Sequence, residues 1–441
     1  MTTESDPGNV LPTTYRDAMS SPEKSEWLGA INKDLNSMDE EGVFEIIHLK
    51  HALLIVPHDS ILSTKWVFVK KPECYKARLV ARGFKQIHGI NYDETFAVTP
   101  TFNALRLLFS TALLNKWPVK TFDIKVAFLH SMIDIPVFIW CPQGLNIPKF
   151  KVLALKKVLY GTKQAAICWW LHLKKILCTI GFTPNNKDPS TYTLVKGVEK
   201  AILWIHVDDG SLTALSQQIM DEIIQGINCN LKIKWDEKAR GLVGISIEKV
   251  PQGYKFSQTE LINKLTRLTP SNIASKSPLH VNCNLESNPA AEMDKSYMKR
   301  IEHLIGYMRD TSDLGIIIAE DNSSSAINCY INANWGGEGD RSTQGYIVLH
   351  GKNTISWQSK GQTTVASSTA QAEYMALSFA ARECIWITSL FQPVLNEMIL
   401  AMMSDNKAAV GISNSSMNKK QTRHLVQEFN LINEYITCGK I

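Results

Sequence analysis

One apolar run, AILWIHV at residues 201–207, ends abruptly in Asp208, Asp209 and Gly210. Its branched and aromatic residues predict a buried β-strand. A carboxylate at the end of such a strand is costly unless it is hydrogen-bonded, paired with a cation or bound to a metal. Because successive strand residues point to opposite faces, both acids can serve one site only beside a turn, which Gly210 makes available.

A third acid, Asp123, lies within another apolar stretch, TFDIKVAFLH at residues 121–130. If strands over 119–124 and 202–208 are neighbours, Asp123 and Asp208 can face each other and hold divalent cations. Carboxylate oxygens favour magnesium, and two such ions catalyse phosphoryl displacement in many enzymes. An acidic pair after an apolar run is also common at simple strand-end turns. The pattern therefore leaves open a metal-dependent phosphoryl-transfer site and a structural turn.

Helix and strand patterns alternate irregularly along the chain, which predicts an α+β fold over an antiparallel sheet. Apolar residues at helical spacing predict helices after a cap at Ser25 and over 103–115 and 165–180. The strands predicted in the first half lie at 53–57, 65–71, 76–84 and 201–207. A second, smaller α/β unit is predicted from a strand at 327–335, a hairpin at 345–359 and a helix at 367–391.

The composition indicates an ordinary globular protein. A chain of 441 residues with 44% hydrophobic residues predicts two or three domains. The net charge of +5 fits either a polyanionic partner or a slightly basic protein without one. The nine cysteines form no CxxC pair, and neither a signal peptide nor a long apolar segment is evident. We therefore expect an intracellular protein without a membrane partner.

Five blocks of the sequence follow one another in a distinctive order: KARLVARGFKQIHGINYDETFA (76–97), FDIKVAFLHS (122–131), LKKVLYGTKQA (155–165), VDD (207–209) and GISIE (244–248). In this order they resemble the reverse transcriptases of copia-type LTR retrotransposons. A further block, RSTQGYIVLHGKNTISWQSKGQTTVASSTAQAEYMAL (341–377), resembles the ribonuclease H region of the same Pol polyproteins.

This resemblance implies an RNA-directed DNA polymerase of the right-hand type. A flexible leader at 1–14 is followed by fingers and palm at 15–250, a shortened thumb, connection and linker at 251–325, and an α/β ribonuclease H-like domain at 326–441. The implied partners are an RNA or DNA template-primer and deoxynucleoside triphosphates. Nucleotidyl transfer would use two metal ions, Mg²⁺ or Mn²⁺.

The resemblance also assigns individual residues. Asp123 corresponds to the first palm carboxylate, and Asp208 and Asp209 to the pair on the palm hairpin. Asp123 and Asp208 are the implied metal ligands. Phe128 matches the bulky residue that excludes a ribose 2′-hydroxyl, although the pattern alone slightly favours core packing.

Three more residues are implied contacts of the incoming nucleotide. Lys76 and Arg78 lie where the fingers offer positive charge to the triphosphate, or else on a solvated strand face. Gln164, in the block YGTKQA, matches a position that touches the nucleotide or the template.

The chain departs from the family pattern in several places. His206 stands where the family usually has Tyr, and the segments 65–79 and 296–316 look shorter than in relatives. These segments correspond to the fingers tip and to the thumb, so processive synthesis is in question.

The ribonuclease H region has changed more. That chemistry needs about four carboxylates to hold two metal ions. Glu373 and Asp405 match two of them, whereas Asn332 and Val426 replace the others. We therefore expect no ribonuclease H activity.

Three functional hypotheses follow. The chain is an active reverse transcriptase, a decayed copy that binds nucleic acid without polymerising, or a metal-dependent nuclease that uses the same acids. We expect it to be the C-terminal part of a longer element, located in cytoplasmic retrotransposon particles or in the nucleus. Self-association is left open.

Overall fold

The computed structural model describes most of the chain. The described residues are 11–71, 74–148, 150–237, 241–269, 271, 273–279, 295–321, 325–336, 341–395, 398–414 and 426–439. Helices and sheets mix along this part of the chain, as an α+β fold requires. None of the helices in the described segments is both long and apolar enough to span a membrane.

The helices are α1 (Tyr15–Ser20), α2 (Lys24–Glu40), α3 (Leu49–Ala52), α4 (Phe102–Leu114), α5 (Ala165–Ile180), α6 (Gln217–Asn228), α7 (Thr259–Leu268), α8 (Lys295–Asp310), α9 (Thr369–Leu390), α10 (Lys407–Asn414) and α11 (Val426–Thr437). Short 3₁₀ helices cover His58–Ser60, Gly83–Lys85 and Ala127–His130.

The strands are β1 (Phe44–His48), β2 (Thr64–Lys71), β3 (Cys74–Ala81), β4 (Val119–Ile124), β5 (Phe138–Ile139), β6 (Lys151–Leu155), β7 (Thr183–Pro184), β8 (Thr191–Lys196), β9 (Glu199–His206), β10 (Asp209–Ala214), β11 (Ile233–Asp236), β12 (Ser246–Val250), β13 (Gly253–Ser257), β14 (Gly315–Ala319), β15 (Ile327–Asn334), β16 (Thr343–His350), β17 (Asn353–Gly361) and β18 (Leu400–Ser404).

The chain forms two compact units. The first unit comprises residues 1–99, 123–180 and 226–234, and the second comprises 100–122, 181–225 and 235–441. Each unit is assembled from segments that are distant in sequence, so long-range contacts define both of them. The predicted division into four successive parts stays a prediction.

The first unit contains a three-stranded sheet of order β1-β6-β5 and the hairpin of β2 and β3. Helix α2 packs on β3, and Trp27, Ile31 and Met38 on this helix are fully buried. Their spacing is the helical period that predicted the helix. The helix begins at Lys24, so Ser25 lies inside it and is not its cap.

A six-stranded sheet has the order β11-β4-β10-β9-β8-β7, and its strands β7 to β10 belong to the second unit, which also contains a three-stranded sheet of order β12-β13-β14. Helix α4 covers residues 102–114, as predicted, and buries most of its length because it is apolar on nearly every face. Strand β9 covers most of the predicted strand at 201–207.

A four-stranded sheet of order β17-β16-β15-β18 also belongs to the second unit. Strands β15, β16 and β17 form an antiparallel meander, whereas β18 pairs with β15 in parallel. Helix α9 connects β17 to β18 and packs on this sheet. The predicted strand, hairpin and long helix of the smaller α/β unit are therefore present.

Two sequence predictions about the fold are wrong or fall outside the described residues. The apolar segment 53–57 is a turn and not a strand, and it follows α3 with Leu54 exposed and Val56 buried. The Val56 N–H bonds the Ala52 carbonyl at 2.9 Å, which closes a helical turn where a strand would need a partner. Residues 1–10 of the predicted leader lie outside the described residues.

Candidate active site

The hairpin of β9 and β10 carries the acidic pair. His206 pairs with Asp209, so Val207 and Asp208 form the two-residue turn between the strands. Val207 has a φ of 58°, a left-handed conformation that β-branched residues rarely adopt. The sequence suggested Gly210 as the residue that allows a turn beside the acids, but the turn is made two residues before it, at Val207 and Asp208. Asp208 lies in the turn itself, and Asp209 is the first residue of β10.

Gly210 has a different role. A Cβ atom added to it would lie 2.2 Å from Cζ of Phe122, so only glycine allows the Phe122 ring to lie against β10. Phe122 belongs to β4, which neighbours β10 in the sheet. The sequence argument let Asp123 and Asp208 face each other only if β4 neighboured the strand before the acidic pair. That condition is not met, because β10 lies between β4 and β9.

The carboxylate of Asp209 is held by a backbone donor. The N–H of Val243 donates a hydrogen bond to Oδ2 of Asp209 at 3.3 Å. Val243 has a φ of 51° and lies in a tight turn closed by reciprocal bonds of 2.9 Å between Leu242 and Ile245. This turn overlaps the GISIE block, which begins at residue 244. Local sequence patterns gave no indication that the turn contacts the acidic pair.

Asp123 is exposed near the end of β4 and opens a segment of the first unit. The segment after it turns sharply, because Val126 has a φ of 50° and begins a 3₁₀ helix. The backbone of Lys125 is held on both sides. Its N–H donates to the Lys232 carbonyl at 3.0 Å, and its carbonyl accepts from Nε2 of His130 at 3.1 Å.

Glu41 lies at the centre of a cluster with His130, Lys157 and Lys232, which we call the Glu41 clamp. Its carboxylate lies 3.6 Å from Nδ1 of His130, 3.1 Å from Nζ of Lys157 and 3.0 Å from Nζ of Lys232. Burial would raise the pKa of Glu41, but the hydrogen bonds from Lys232 and Lys157 outweigh it and hold the pKa below its ordinary value. Burial lowers the pKa of His130 despite the Glu41 charge. Sequence reasoning missed this clamp because its members are distant in the chain.

Two of the predicted nucleotide contacts are brought together within the first unit. The half-buried ring of Phe128 packs against Val158, Ala165 and Cys168, and it meets the Tyr160 ring edge-on at 5.3 Å between centroids. The Arg78 guanidinium lies 5.5 Å from the centroid of the same Tyr160 ring. Tyr160 therefore links strand β3, which carries Arg78, to Phe128, and it was not predicted.

Lys76 lies two residues before Arg78 and shares the exposed face of the β2–β3 hairpin. Lys65 and Lys71 on β2 are exposed on the same face, because β2 residues paired directly with β3 residues point the same way. This face is therefore basic and open to an anion.

Gln164 is fully buried. Its Oε1 accepts a hydrogen bond from Nε2 of Gln86 at 2.9 Å, and its Nε2 donates to the Asn91 carbonyl at 2.8 Å. The side chain therefore joins the segments around residues 86–91 and 161–165. This arrangement positions the neighbouring backbone and leaves the amide no path to solvent.

The donor chemistry of the acidic hairpin fits a hard divalent cation. Asp208 and Asp209 are half-exposed carboxylates at a turn, and one oxygen of Asp209 already accepts a backbone N–H that fixes its orientation. Within the described part of the chain, no three or more His, Cys, Asp or Glu side chains converge as a metal cage. Magnesium is commonly held by one or two carboxylates together with substrate phosphates.

The remaining predicted acids lie together in the second unit. Glu373 on α9 is 6% exposed, its Oε1 accepts the Ala333 N–H at 3.0 Å, and its Oε2 has no partner among the described residues. Burial raises the pKa of Glu373, and the charge of Asp405 raises it further. Asp405 directly follows β18, and Asn332 lies on the adjacent strand β15.

Asn332 and Asp405 also line a shallow cavity of about 670 Å³ on the face of this sheet. Asn332 and Asp405 thus lie near the ends of neighbouring strands, and Glu373 on α9 contacts the backbone of Ala333, the residue after Asn332. Val426 is the first residue of α11, and its side chain lies outside the described atoms.

Comparison with known proteins agrees with the sequence blocks. The model of the family described as reverse transcriptase (RNA-dependent DNA polymerase) matches residues 51–278, which include all three predicted palm acids. The C-terminal sheet lies beyond this match.

Curated relatives extend the similarity over nearly the whole chain. The retrovirus-related Pol polyprotein from transposon RE2 of Arabidopsis thaliana is 25% identical over 97% of this chain. The corresponding polyprotein from transposon TNT 1-94 of Nicotiana tabacum is 25% identical over 96% of it. The chain spans only 32% and 36% of these two relatives, about a third of their length.

A solved foamy viral protease-reverse transcriptase, in complex with double-stranded DNA, is similar with a TM-score of 0.45 and 12% identity. It covers 93% of this chain, which covers 68% of that protein. The family match and the relatives decide the assignment: the chain belongs to the reverse transcriptase family, in the form carried by the Pol polyproteins of copia-type retrotransposons.

Proposed function

We propose that this chain is an RNA-directed DNA polymerase in which Asp123, Asp208 and Asp209 hold the catalytic divalent cations. The observation that carries the proposal is the match to the reverse transcriptase family over residues 51–278, which contains an acidic pair oriented at a hairpin turn. All three acids lie inside the residues that match the family, and this supports a common role for them.

Each of the candidate acids and their neighbours has a separate role in the proposed reaction. Mg²⁺ or Mn²⁺, when bound, would stabilise charge on the attacking and leaving oxygens during nucleotidyl transfer. Asp208 and Asp209 would hold the ion, with the Val243 N–H fixing the Asp209 carboxylate. Asp123 would supply the third carboxylate. The Glu41 clamp holds the backbone two residues after Asp123 and thereby limits its movement.

The incoming deoxynucleoside triphosphate would be recognised by charge and by shape. Lys76 and Arg78 on the basic hairpin face attract the triphosphate, and Tyr160 orients Arg78. Phe128, held edge-on to Tyr160, would lie under the sugar and leave no room for a 2′-hydroxyl. Gln164 acts as a positioning residue for the loop that precedes α5.

The C-terminal part of the second unit is proposed to be ribonuclease H-like but inactive. The order of three antiparallel strands, a helix and a fourth strand parallel to the first supports that fold. The neutral amide of Asn332 and the apolar residue at 426 leave two carboxylates where about four are needed. Purified protein is therefore expected not to cleave the RNA of an RNA–DNA hybrid when Mg²⁺ or Mn²⁺ is added.

A second candidate function is nucleic-acid binding without synthesis, as in a decayed copy. The loss of two of the four C-terminal carboxylates favours it, because it indicates relaxed constraint on this chain. In either case the partners are RNA or DNA, and the location is a cytoplasmic retrotransposon particle or the nucleus.

Primer extension tests the proposal. An RNA template with a DNA primer, deoxynucleoside triphosphates and Mg²⁺ should give template-dependent products with the natural chain, and Asp208→Asn should abolish them. Asp59→Asn removes a fully exposed carboxylate of the first unit and should extend normally. Tight primer-template binding without extension by the natural chain would support the second function. Degradation of the template or primer that Asp208→Asn prevents would point to a nuclease.

A further inference from the structure

A cavity of about 710 Å³ lies in the second unit, apart from all the residues assigned above. It is bounded by the last turns of α9, the loop around residue 187, the chain that enters β18 and the end of α11. Two cations, Lys187 and Arg382, and two aromatic side chains, Trp386 and Tyr435, line it. No Asp or Glu is among its lining residues in the described part of the chain.

The loop that presents Lys187 is fixed to α9. The Asn185 side chain donates hydrogen bonds to the carbonyls of Ser389 and Leu390, and its Oδ1 accepts the Lys187 N–H at 2.6 Å. Nε1 of Trp386 donates to the Lys187 carbonyl at 3.3 Å, so the indole and the lysine backbone are held together. The backbone of Lys187 and the indole of Trp386 are therefore held together in one wall of the cavity.

The residues that line the cavity suit a ligand with an anionic group at one end and an aromatic ring at the other. Lys187 and Arg382 offer charge-assisted hydrogen bonds to phosphate oxygens, and Arg can do so with two N–H groups at once. Trp386 and Tyr435 offer rings on which a base can stack. The apolar side chains of Ile385, Met398 and Leu400 complete the wall. A cavity of this volume is of the size that holds a small organic ligand.

We propose that this cavity binds one unpaired nucleotide, with its base against the aromatic wall and its phosphate between Lys187 and Arg382. The nucleotide can be free or part of a single strand, since both present the same base and phosphate. The site does not depend on the polymerase function proposed above. Its cations come from the loop 185–188 and from α9, and none of its residues belongs to the acidic hairpin or to the basic hairpin face.

Binding of adenosine monophosphate to the full chain, measured by calorimetry without divalent cations, tests this proposal. Arg382→Gln and Lys187→Gln should each weaken binding about tenfold, because each removes a charged hydrogen-bond donor. Trp386→Leu should weaken it similarly, whereas Trp386→Phe, which keeps a ring, should restore most of it. Lys352→Gln, at a 77% exposed lysine of the same unit, should change nothing.

A single-stranded oligoadenylate distinguishes the two sources of the nucleotide. Binding of both probes with the same dependence on Arg382 supports a site for free nucleotides, and binding of the strand alone with that dependence supports a strand-binding site. Photolabelling with an azido-adenine probe should mark peptides that contain Trp386 or Tyr435. Equal affinities of the natural chain and Arg382→Gln for both probes, or a label confined to other peptides, would overturn the proposal.

Discussion

The acidic hairpin and the C-terminal sheet edge both place carboxylates at strand ends, but they hold them differently. Asp208 and Asp209 are half-exposed, and the carboxylate of Asp209 is oriented by a backbone N–H. At the sheet edge, Glu373 is buried with one oxygen unpartnered among the described residues, and the residue on the neighbouring strand is the neutral Asn332. In the first region a backbone N–H orients a half-exposed carboxylate, whereas in the second region the neighbour of the buried carboxylate is a neutral amide.

The largest expected difference between the regions is in DNA synthesis. Asp209→Asn should reduce primer extension about a thousandfold, because it removes a carboxylate that stabilises the metal-bound transition state. Glu373→Gln should leave the extension rate unchanged. Single-turnover extension assays on the same primer-template measure both. A large loss of extension rate with Glu373→Gln, or no loss with Asp209→Asn, would show that the two regions do not differ in this way.

A restored carboxylate at the sheet edge should change metal affinity. Asn332→Asp adds a carboxylate that lines the same cavity as Asp405, and it should tighten Mn²⁺ binding about tenfold, since affinity rises with the number of charged oxygen ligands. Electron paramagnetic resonance titration of free Mn²⁺ measures the change. Asn328→Asp, earlier on the same face of β15, is the matched control. Equal effects of the two variants would show that Asn332 is not at a ligand position.

Loss of the clamp around Glu41 should slow synthesis moderately. Glu41→Gln removes the charge that holds His130 and Lys232, so the segment after Asp123 loosens, and we expect the turnover rate to fall about fivefold with little change in KM. Glu45→Gln breaks an exposed pair with Lys156 in the same unit and serves as the control. Primer extension at varied nucleotide concentration separates the two constants. An equal effect of both variants would show that the Glu41 clamp has no specific role in synthesis.

The smallest effect concerns stability. Glu373→Gln should raise the free energy of unfolding by about 1 kcal/mol at pH 7.5, because it removes a buried charge while an amide oxygen still accepts the Ala333 N–H. The folded pKa of Glu373 is raised above the ordinary 4.5, so the carboxyl disfavours folding progressively as pH rises through that raised value. The gain should therefore vanish near pH 4. Urea unfolding at both pH values measures it, with the exposed Glu302→Gln as control. A gain that persists at pH 4 would show that the buried charge is not its cause.

The sequence located most elements and the candidate acids, because apolar spacing and ordered blocks are local signals. Helix α5 and strand β9 illustrate this, since periodicity alone outlined both. It could not place the turn at Val207 and Asp208, because local preference argues against a valine at positive φ and in favour of Gly210. The need for Gly210 comes from the Phe122 ring, which is a tertiary contact.

Strand order and supporting residues were equally beyond local patterns. The period of a strand predicts which face is buried and does not predict its neighbour, so β10 was not expected beside β4. Glu41 stands at the end of a helix with no motif around it, and its partners follow it by about ninety residues or more. Gln164 was expected to touch the nucleotide or the template because its sequence block matches a position that does so. In the structure its side chain is fully buried, and its amide bonds only neighbouring protein groups.

Three valines with positive φ accompany the three candidate acids. Val126 follows Asp123 by three residues, Val207 precedes Asp208, and Val243 donates to Asp209. Each such conformation costs of order 1–3 kcal/mol. Stability-guided redesign of this chain would replace these valines with glycine or asparagine first. We expect it to yield a more heat-resistant protein and a poorer polymerase, so that stability and activity must be improved at other positions.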